Sequence, residues 1–183
     1  MTLARALLAF ASLFAAGCAI AQPAGTGKRY PLAGHGTLVL AAPAGWTDSV
    51  RQNDKGVPPT IFYSTVPERQ QVMITPLVRA RPDLPPFTPG SVRQNVEQGI
   101  RGVKEQAAEK NIRVTGFQGK SGPGWYFEAT DKAPKPGEYK FLRQGMVMLS
   151  GELVLWFTIL ADGPKDPAVR DAMHLLESAT LGN

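Results

Sequence analysis

The arrangement of hydrophobic and polar positions divides most of the chain into strands. The segment 153–161 is almost entirely apolar, which is typical of a central strand covered on both faces. In 125–130 apolar and polar residues alternate, which predicts a strand buried on one face only. Further strands are predicted where short apolar runs lie between turn-forming residues, at 37–40, 60–64, 71–78, 113–118 and 139–149.

Two helices are predicted from apolar stripes and from residues that favour helix starts. The longer one covers 89–110, where Thr88-Pro89 offers an N-cap followed by proline, and Ser91 with Gln94 offers an alternative capping box. Its apolar stripe consists of Val92, Val96, Ile100, Val103 and Ala107. The second helix starts at Asp166-Pro167, and its apolar side carries Val169, Met173, Leu176 and Ala179.

Turns and prolines decide how these elements are connected. Residues 43–46 predict a turn that places Trp46 at the edge of the core, and 48–59 is polar enough to predict an exposed loop. Pro76 cannot donate to a strand ladder, which predicts that 71–78 is an edge strand or is bent. Hairpin-like connections favour antiparallel pairing. The sequence therefore predicts an α+β fold, in which a long central helix and a C-terminal helix pack on an antiparallel sheet of about six to seven strands.

The first 21 residues have the pattern of a bacterial signal peptide. One positive charge at Arg5 precedes an apolar run that is too short to span a bilayer, and Ala21 ends an A-x-A cleavage site. Cleavage there predicts a signal peptide at 1–21, a Gly- and Pro-rich flexible leader at 22–29 and a single domain at 30–183. We therefore expect an exported, periplasmic protein.

Cys18 supports a second interpretation of the same segment. Ala15-Ala16-Gly17-Cys18 resembles a lipobox, although bacterial lipoproteins usually carry leucine where Ala15 stands. A lipidated Cys18 would anchor the domain to the envelope membrane, whereas cleavage after Ala21 would release a soluble periplasmic protein. Cleavage would also remove the only cysteine, which excludes thiol catalysis and thiolate metal sites in the mature domain.

Charge and motif content exclude several function classes. The chain carries a net charge of +5, but no block of five or six like charges supports nucleic-acid binding. The sequence has only two histidines, His35 and His174, and it has no nucleophile elbow, zinc-protease or phosphate-loop motif. We expect no enzymatic activity, no cofactor and no metal site, and a hydrolase ranks last because no nucleophile has a plausible base.

The most suggestive group of side chains lies in the segment 131–140. Two prolines stiffen it, and three lysines alternate with two acids and an aromatic ring. In one interpretation it is a solvated hairpin connection in which Asp131 and Glu138 bind local backbone groups. In the other it is a rigid recognition loop, in which tyrosines supply contact area and lysines complement an acidic partner. The candidate binding residues are Tyr126, Asp131, Lys132, Lys135, Glu138, Tyr139 and Lys140.

The order of elements and several short motifs resemble a known fold family. The turn at 43–46, the long helix, the meander of strands and the closing helix are similar to the Mog1/PsbP-like fold. The stretch 124–160 resembles small uncharacterised exported proteins of Gram-negative bacteria, through the motifs at 126–131, 135–140, 144–145 and 157–160. The resemblance implies a non-enzymatic domain that binds other proteins.

These observations lead to two function hypotheses. The first is an exported, non-enzymatic domain of the cell envelope that binds an envelope protein or peptide through its sheet face or the 131–140 loop. The second is a carrier of a small apolar or lipid ligand held between sheet and helix. The second is motivated by the aromatic residues Trp125, Phe127, Trp156 and Phe157.

Overall fold

Ten strands and two helices make up the part of the chain that the structure describes. The computed structural model describes residues 27–53, 58–65 and 70–182. The predicted signal peptide, Cys18 and Ala21 lie outside the described residues. The elements are β1 Gly27–Pro31, β2 Thr37–Ala41, β3 Thr47–Arg51, β4 Thr60–Ser64, β5 Gln70–Val78, α1 Pro89–Val103, β6 Thr115–Gln118, β7 Pro123–Thr130, β8 Phe141–Met148, β9 Leu153–Ala161, α2 Pro167–Glu177 and β10 Thr180–Gly182.

The strands form two antiparallel sheets. The large sheet has seven strands in the order β3-β4-β5-β9-β8-β7-β6, and the small sheet has three in the order β1-β2-β10. Every pairing in both sheets is antiparallel. The α+β class with a mainly antiparallel sheet is confirmed, but the strands divide into two sheets where a single one was predicted.

One face of the large sheet forms the main core together with α2 and the small sheet. Alternate residues of β9, such as Leu155, Phe157 and Ile159, contribute to it and are fully buried. Leu38 and Leu40 of β2 belong to the same cluster, so the small sheet packs over this face. Helix α2 contributes five buried residues, namely Val169, Ala172, Met173, Leu175 and Leu176. The small sheet and α2 thus share one core with the large sheet.

Helix α1 packs on the opposite face, across β7 and β8. Val92 and Val96 of its apolar stripe are fully buried against Phe127, Met146 and Val154. Because both faces of β9 are covered, the prediction of a central strand at 153–161 is confirmed, with the predicted bounds.

The start of α1 is confirmed, but its end is not. Thr88 caps the helix and forms a reciprocal capping box with Ser91, so the first of the two predicted caps is the one used. The helix ends at Val103, seven residues before the predicted end. Beyond it, Ala107 forms an isolated β-bridge with Asp131. The residues around this bridge exchange backbone hydrogen bonds with the end of β7, whereas in a longer helix the same groups would bond within the helix.

Three short strands are missing from the predicted set. Strand β1 starts inside the segment 22–29, which was predicted to be a flexible leader, and β3 occupies the beginning of the predicted loop 48–59. Strand β10 follows α2 and pairs with β2. All three lie at sheet edges and are largely polar or exposed, so their own sequences carry little strand signal.

Pro76 predicted that 71–78 is an edge strand or is bent, and the edge-strand alternative is wrong. Strand β5 lies inside the large sheet, between β4 and β9. Its pairing with β4 ends before Pro76, since β4 begins at Thr60 and Ile61 lies opposite Ile74. Pro76 therefore lies beyond the end of its neighbour on that side, where the proline costs no ladder hydrogen bond.

Candidate functional site

The segment 131–140 connects β7 to β8 and is fixed to the end of α1. At its base, the Asp131 amide donates to the Lys140 carbonyl at 2.8 Å. The Lys132 amide donates to the Gln106 carbonyl at 3.0 Å, and the Ala108 amide donates to the Thr130 carbonyl at 2.7 Å. These bonds join the residues that follow α1 to the end of β7, so the loop has a rigid base.

Both acids of the loop bind local backbone groups. One Asp131 carboxylate oxygen accepts from the Ala133 amide at 2.8 Å. One Glu138 carboxylate oxygen accepts from the Lys135 amide at 3.0 Å. Gly137 has a φ of 86°, which an L side chain rarely adopts, and it allows the tight turn before Glu138. The interpretation of Asp131 and Glu138 as backbone-binding groups of a hairpin connection is therefore confirmed.

The three lysines of the loop differ in their contacts. The Lys132 ammonium donates to the Glu105 carbonyl, which leaves it little freedom to bind a partner. Lys135 and Lys140 are exposed, and among the described residues neither ammonium has a hydrogen bond or an ion pair. Two positive charges are thus available on a loop whose own acids already have partners.

A pocket of about 210 Å³ lies between this loop and the end of α1. We call it the loop pocket. Its wall is mostly apolar, and Asp131, Tyr139 and Lys140 also contribute to it. The other lining residues are Val103, Gln106, Ala107, Ala129, Thr130, Phe141, Leu142 and Leu160. The structure therefore brings three of the candidate residues to one concave site.

A carboxylate holds the strand end beside this pocket. Glu109 accepts a hydrogen bond from the Thr130 amide at 2.9 Å. Burial alone would raise the pKa of Glu109, but the hydrogen bonds from Thr130 outweigh it and hold the pKa below its usual value. Glu109 therefore stays ionised and fixes the position of Thr130, a pocket residue.

Tyr126 does not lie near the loop pocket. Its side chain is on the opposite face of the large sheet, where Gly145 is its strand partner. The guanidinium of Arg143 stacks on its ring at 4.6 Å from the centroid, and Phe117 packs against it at 6.0 Å. Tyr126 lines a separate groove next to α2, so the candidate residues fall into two sites.

A buried polar network was missed by sequence reasoning. The Tyr30 hydroxyl donates to Asp48 at 2.7 Å and lies 2.5 Å from the Tyr63 hydroxyl. Lys28 forms an ion pair with the same aspartate. Because the single Tyr30 proton points at the carboxylate, Tyr63 donates to Tyr30. These residues lie in β1, β3 and β4, and no local motif could have signalled that they meet.

The network shifts the protonation of its members. Burial raises the pKa of Tyr63 to about 12. Burial also raises the pKa of Tyr30, and its hydrogen bonds to Tyr63 and Asp48 raise it further. Burial acts to raise the pKa of Asp48 as well, but hydrogen bonds from Lys28 and Tyr30 hold that pKa below its ordinary value. The two tyrosines therefore stay neutral beside an ionised aspartate, and the network links β1 to β3 and β4.

The two histidines lie on different elements of the fold. His35 lies in the exposed turn between β1 and β2, and His174 lies on the exposed side of α2, with Nδ1 at 3.2 Å from Glu177. Across 27–53, 58–65 and 70–182, no group of three or more His, Cys, Asp or Glu side chains could hold a metal ion. Neither helix of the described chain is long and apolar enough to cross a membrane.

Comparison with known proteins gives no assignment. No protein-family model matches the sequence, and no curated protein matches it.

Proposed function

We propose that the protein is an exported, non-enzymatic domain that binds an envelope protein or peptide at the loop pocket. The observation that carries this proposal is a small apolar cavity lined in part by Lys140, a lysine without a partner among the described residues, on a rigid loop that also carries the exposed Lys135. Binding residues concentrate on loops that a scaffold holds in place, and charged groups around an apolar centre select the partner.

The size of the cavity favours a side chain over a complete small molecule. Pockets for drug-sized ligands hold roughly 300–1,000 Å³, whereas the loop pocket holds about 210 Å³. One large apolar side chain fits that space, and the backbone around it would remain on the surface. Lys140, which lines the pocket, would then face residues next to the inserted side chain, which favours an acidic segment.

The carrier hypothesis ranks second, because the aromatic residues that motivated it have packing roles. Phe127 and Phe157 are fully buried, and Trp125 and Trp156 pack against the cluster beneath α1. None of the four lines the loop pocket. Their side chains support the core, so they provide no argument for a ligand between sheet and helix.

Export and family membership are further parts of the proposal. The pattern of residues 1–21 supports secretion into the periplasm, with the lipoprotein anchored through Cys18 as the alternative. The Mog1/PsbP-like resemblance supports a protein-binding role in the same way. The mass of the mature N-terminus distinguishes the two export routes, because cleavage after Ala21 leaves Gln22 first and lipidation leaves an acylated Cys18.

Selection from a random peptide library tests the binding site. We expect peptides that carry one large apolar residue next to Asp or Glu. Ala107→Phe should fill the pocket and abolish their binding, because Ala107 lines it. Ala133→Phe is the matched control, since Ala133 is exposed on the same loop and does not line the pocket. Selection of no peptide, or equal binding by both variants, would contradict the proposal.

A further inference from the structure

A second concave site lies on the other face of the large sheet, next to α2. We call it the α2 groove. It encloses about 520 Å³, which is within the range of pockets that take small molecules. It is lined by Phe117, Tyr126, Arg143, Pro164, Lys165, Asp166, Pro167, Val169, Arg170, Met173, His174 and Glu177. The groove shares no lining residue with the loop pocket, so it is independent of the function proposed above.

The floor of the α2 groove is aromatic, and two glycines make room for it. A Cβ atom at Gly124 would lie 2.4 Å from the ring of Phe117. A Cβ atom at Gly145 would lie 2.7 Å from the Cβ of Tyr126. The ring of Phe117 therefore lies directly over the backbone of Gly124, and both Phe117 and Tyr126 remain half-buried where they line the groove.

Cations border this floor, and the acids beside them already have partners. Arg143 is fixed by its ion pair with Glu128 and by stacking on Tyr126. Lys165 is exposed and has no hydrogen-bond or ion-pair partner within the described ranges, and Arg170 has only a 3.5 Å contact with Asp171. Of the two acids that line the groove, Asp166 caps α2 through the Ala168 amide and Glu177 pairs with His174.

We propose that the α2 groove binds a small aromatic anion. The aromatic body would lie against Phe117 and the edge of Tyr126, whose ring already stacks with Arg143, and the acidic group would face Lys165 and Arg170. Apolar walls with a few convergent polar groups are the usual composition of small-molecule sites. A negative group is favoured because Lys165 has no partner in the described part of the chain and Arg170 has only its 3.5 Å contact with Asp171, while the two lining carboxylates, Asp166 and Glu177, are hydrogen-bonded to the protein.

Titration of the protein with 2-naphthoate, followed by amide NMR shifts, tests this site. We expect saturable shifts at residues of the groove such as Val169 and Met173. The double variant Lys165→Gln/Arg170→Gln should bind about three- to tenfold more weakly, because two exposed charge contacts are lost. The matched control, Arg101→Gln/Lys104→Gln, removes two exposed charges near the end of α1 and should bind like the unaltered protein.

A neutral analogue separates the charge from the ring. 2-Naphthamide should bind the groove more weakly than 2-naphthoate and should discriminate little between the two double variants. The proposal is overturned if 2-naphthoate shows no saturation below about 10 mM, if its shifts lie only at the loop pocket, or if both double variants bind it equally. The loop-pocket peptides should bind the Lys165→Gln/Arg170→Gln protein normally, which keeps the two proposals distinguishable.

Discussion

At the scale of single residues, the hydroxyl of Tyr30 takes part in two side-chain hydrogen bonds. It donates to Asp48 and accepts from Tyr63, and Tyr30 is 6% exposed while Tyr63 is fully buried. A buried polar group that loses its partner costs more than the net contribution of an average hydrogen bond. The hydroxyl of Tyr126, by contrast, has no hydrogen bond to any of the described residues.

We expect Tyr30→Phe to lower the free energy of unfolding by about 1–3 kcal/mol, since it leaves the Tyr63 hydroxyl without an acceptor and takes a donor from Asp48. Tyr126→Phe, the control, should change it by less than about 0.5 kcal/mol. Urea denaturation followed by tryptophan fluorescence measures both. Equal losses in the two variants would show that the network is not a stabilising element.

At the scale of elements, the contact between β7 and β8 depends on Gly145. A Cβ atom there would lie 2.1 Å from the Trp125 carbonyl oxygen and 2.8 Å from the ring of Phe157. The first of these is strand backbone, which cannot move without disturbing the pairing. Nothing lies within 4 Å of a Cβ atom placed at Gly102, in the last turn of α1.

Gly145→Ala should therefore destabilise the protein by more than about 2 kcal/mol, since overpacking against backbone forces the strands apart. Gly102→Ala should instead stabilise it by about 0.5–1 kcal/mol through helix propensity. Thermal unfolding of both variants checks this, and a Gly145→Ala protein as stable as the unaltered one would contradict the close contact.

Which elements could be predicted depends on how much of the signal is local. Strand β9 and helix α2 carry their own patterns, a continuous apolar run and a capped apolar stripe, so the bounds of β9 and the start of α2 were predicted correctly. Strands β1, β3 and β10 exist because a partner strand pairs with them. That information lies far away in the chain, so no local window of sequence contains it.

Only part of the candidate site could be predicted from the sequence. The stiff loop at 131–140 and the local role of its acids follow from proline, aspartate and glutamate at turn positions. The loop pocket does not follow from the sequence of the loop, because its other wall comes from the end of α1. Successive side chains of a strand point to opposite faces, so Tyr126 lies on the face opposite Phe127. This two-residue alternation was visible in the sequence and already indicated that Tyr126 does not belong to the loop site.

At the scale of the whole molecule, the polar network joins the two sheets. Lys28 and Tyr30 belong to the small sheet, whereas Asp48 and Tyr63 belong to the large one. Asp48 has a folded-state pKa below its ordinary value. Its contribution to stability is therefore present above the unfolded-state pKa of about 3.9 and is lost as the pH falls through the lower folded-state pKa.

We expect the free energy of unfolding to fall as the pH is lowered from about 5 to about 2, and to fall less steeply in Asp48→Asn. Asp162→Asn is the control, because Asp162 is exposed and should leave the slope unchanged. Urea denaturation across this pH range measures the slopes. Parallel curves for Asp48→Asn and the unaltered protein would contradict the assignment.

The central position of β2 in the small sheet has a consequence for folding during synthesis. Strand β2 pairs on one side with β1, its neighbour in the chain, and on the other with β10, about 140 residues later. A ribosome delivers β1 and β2 early, but the second edge of β2 stays unpaired until every other element has been made. Closure of this sheet is therefore a late step of high contact order, and a nascent chain presents an open strand edge until then.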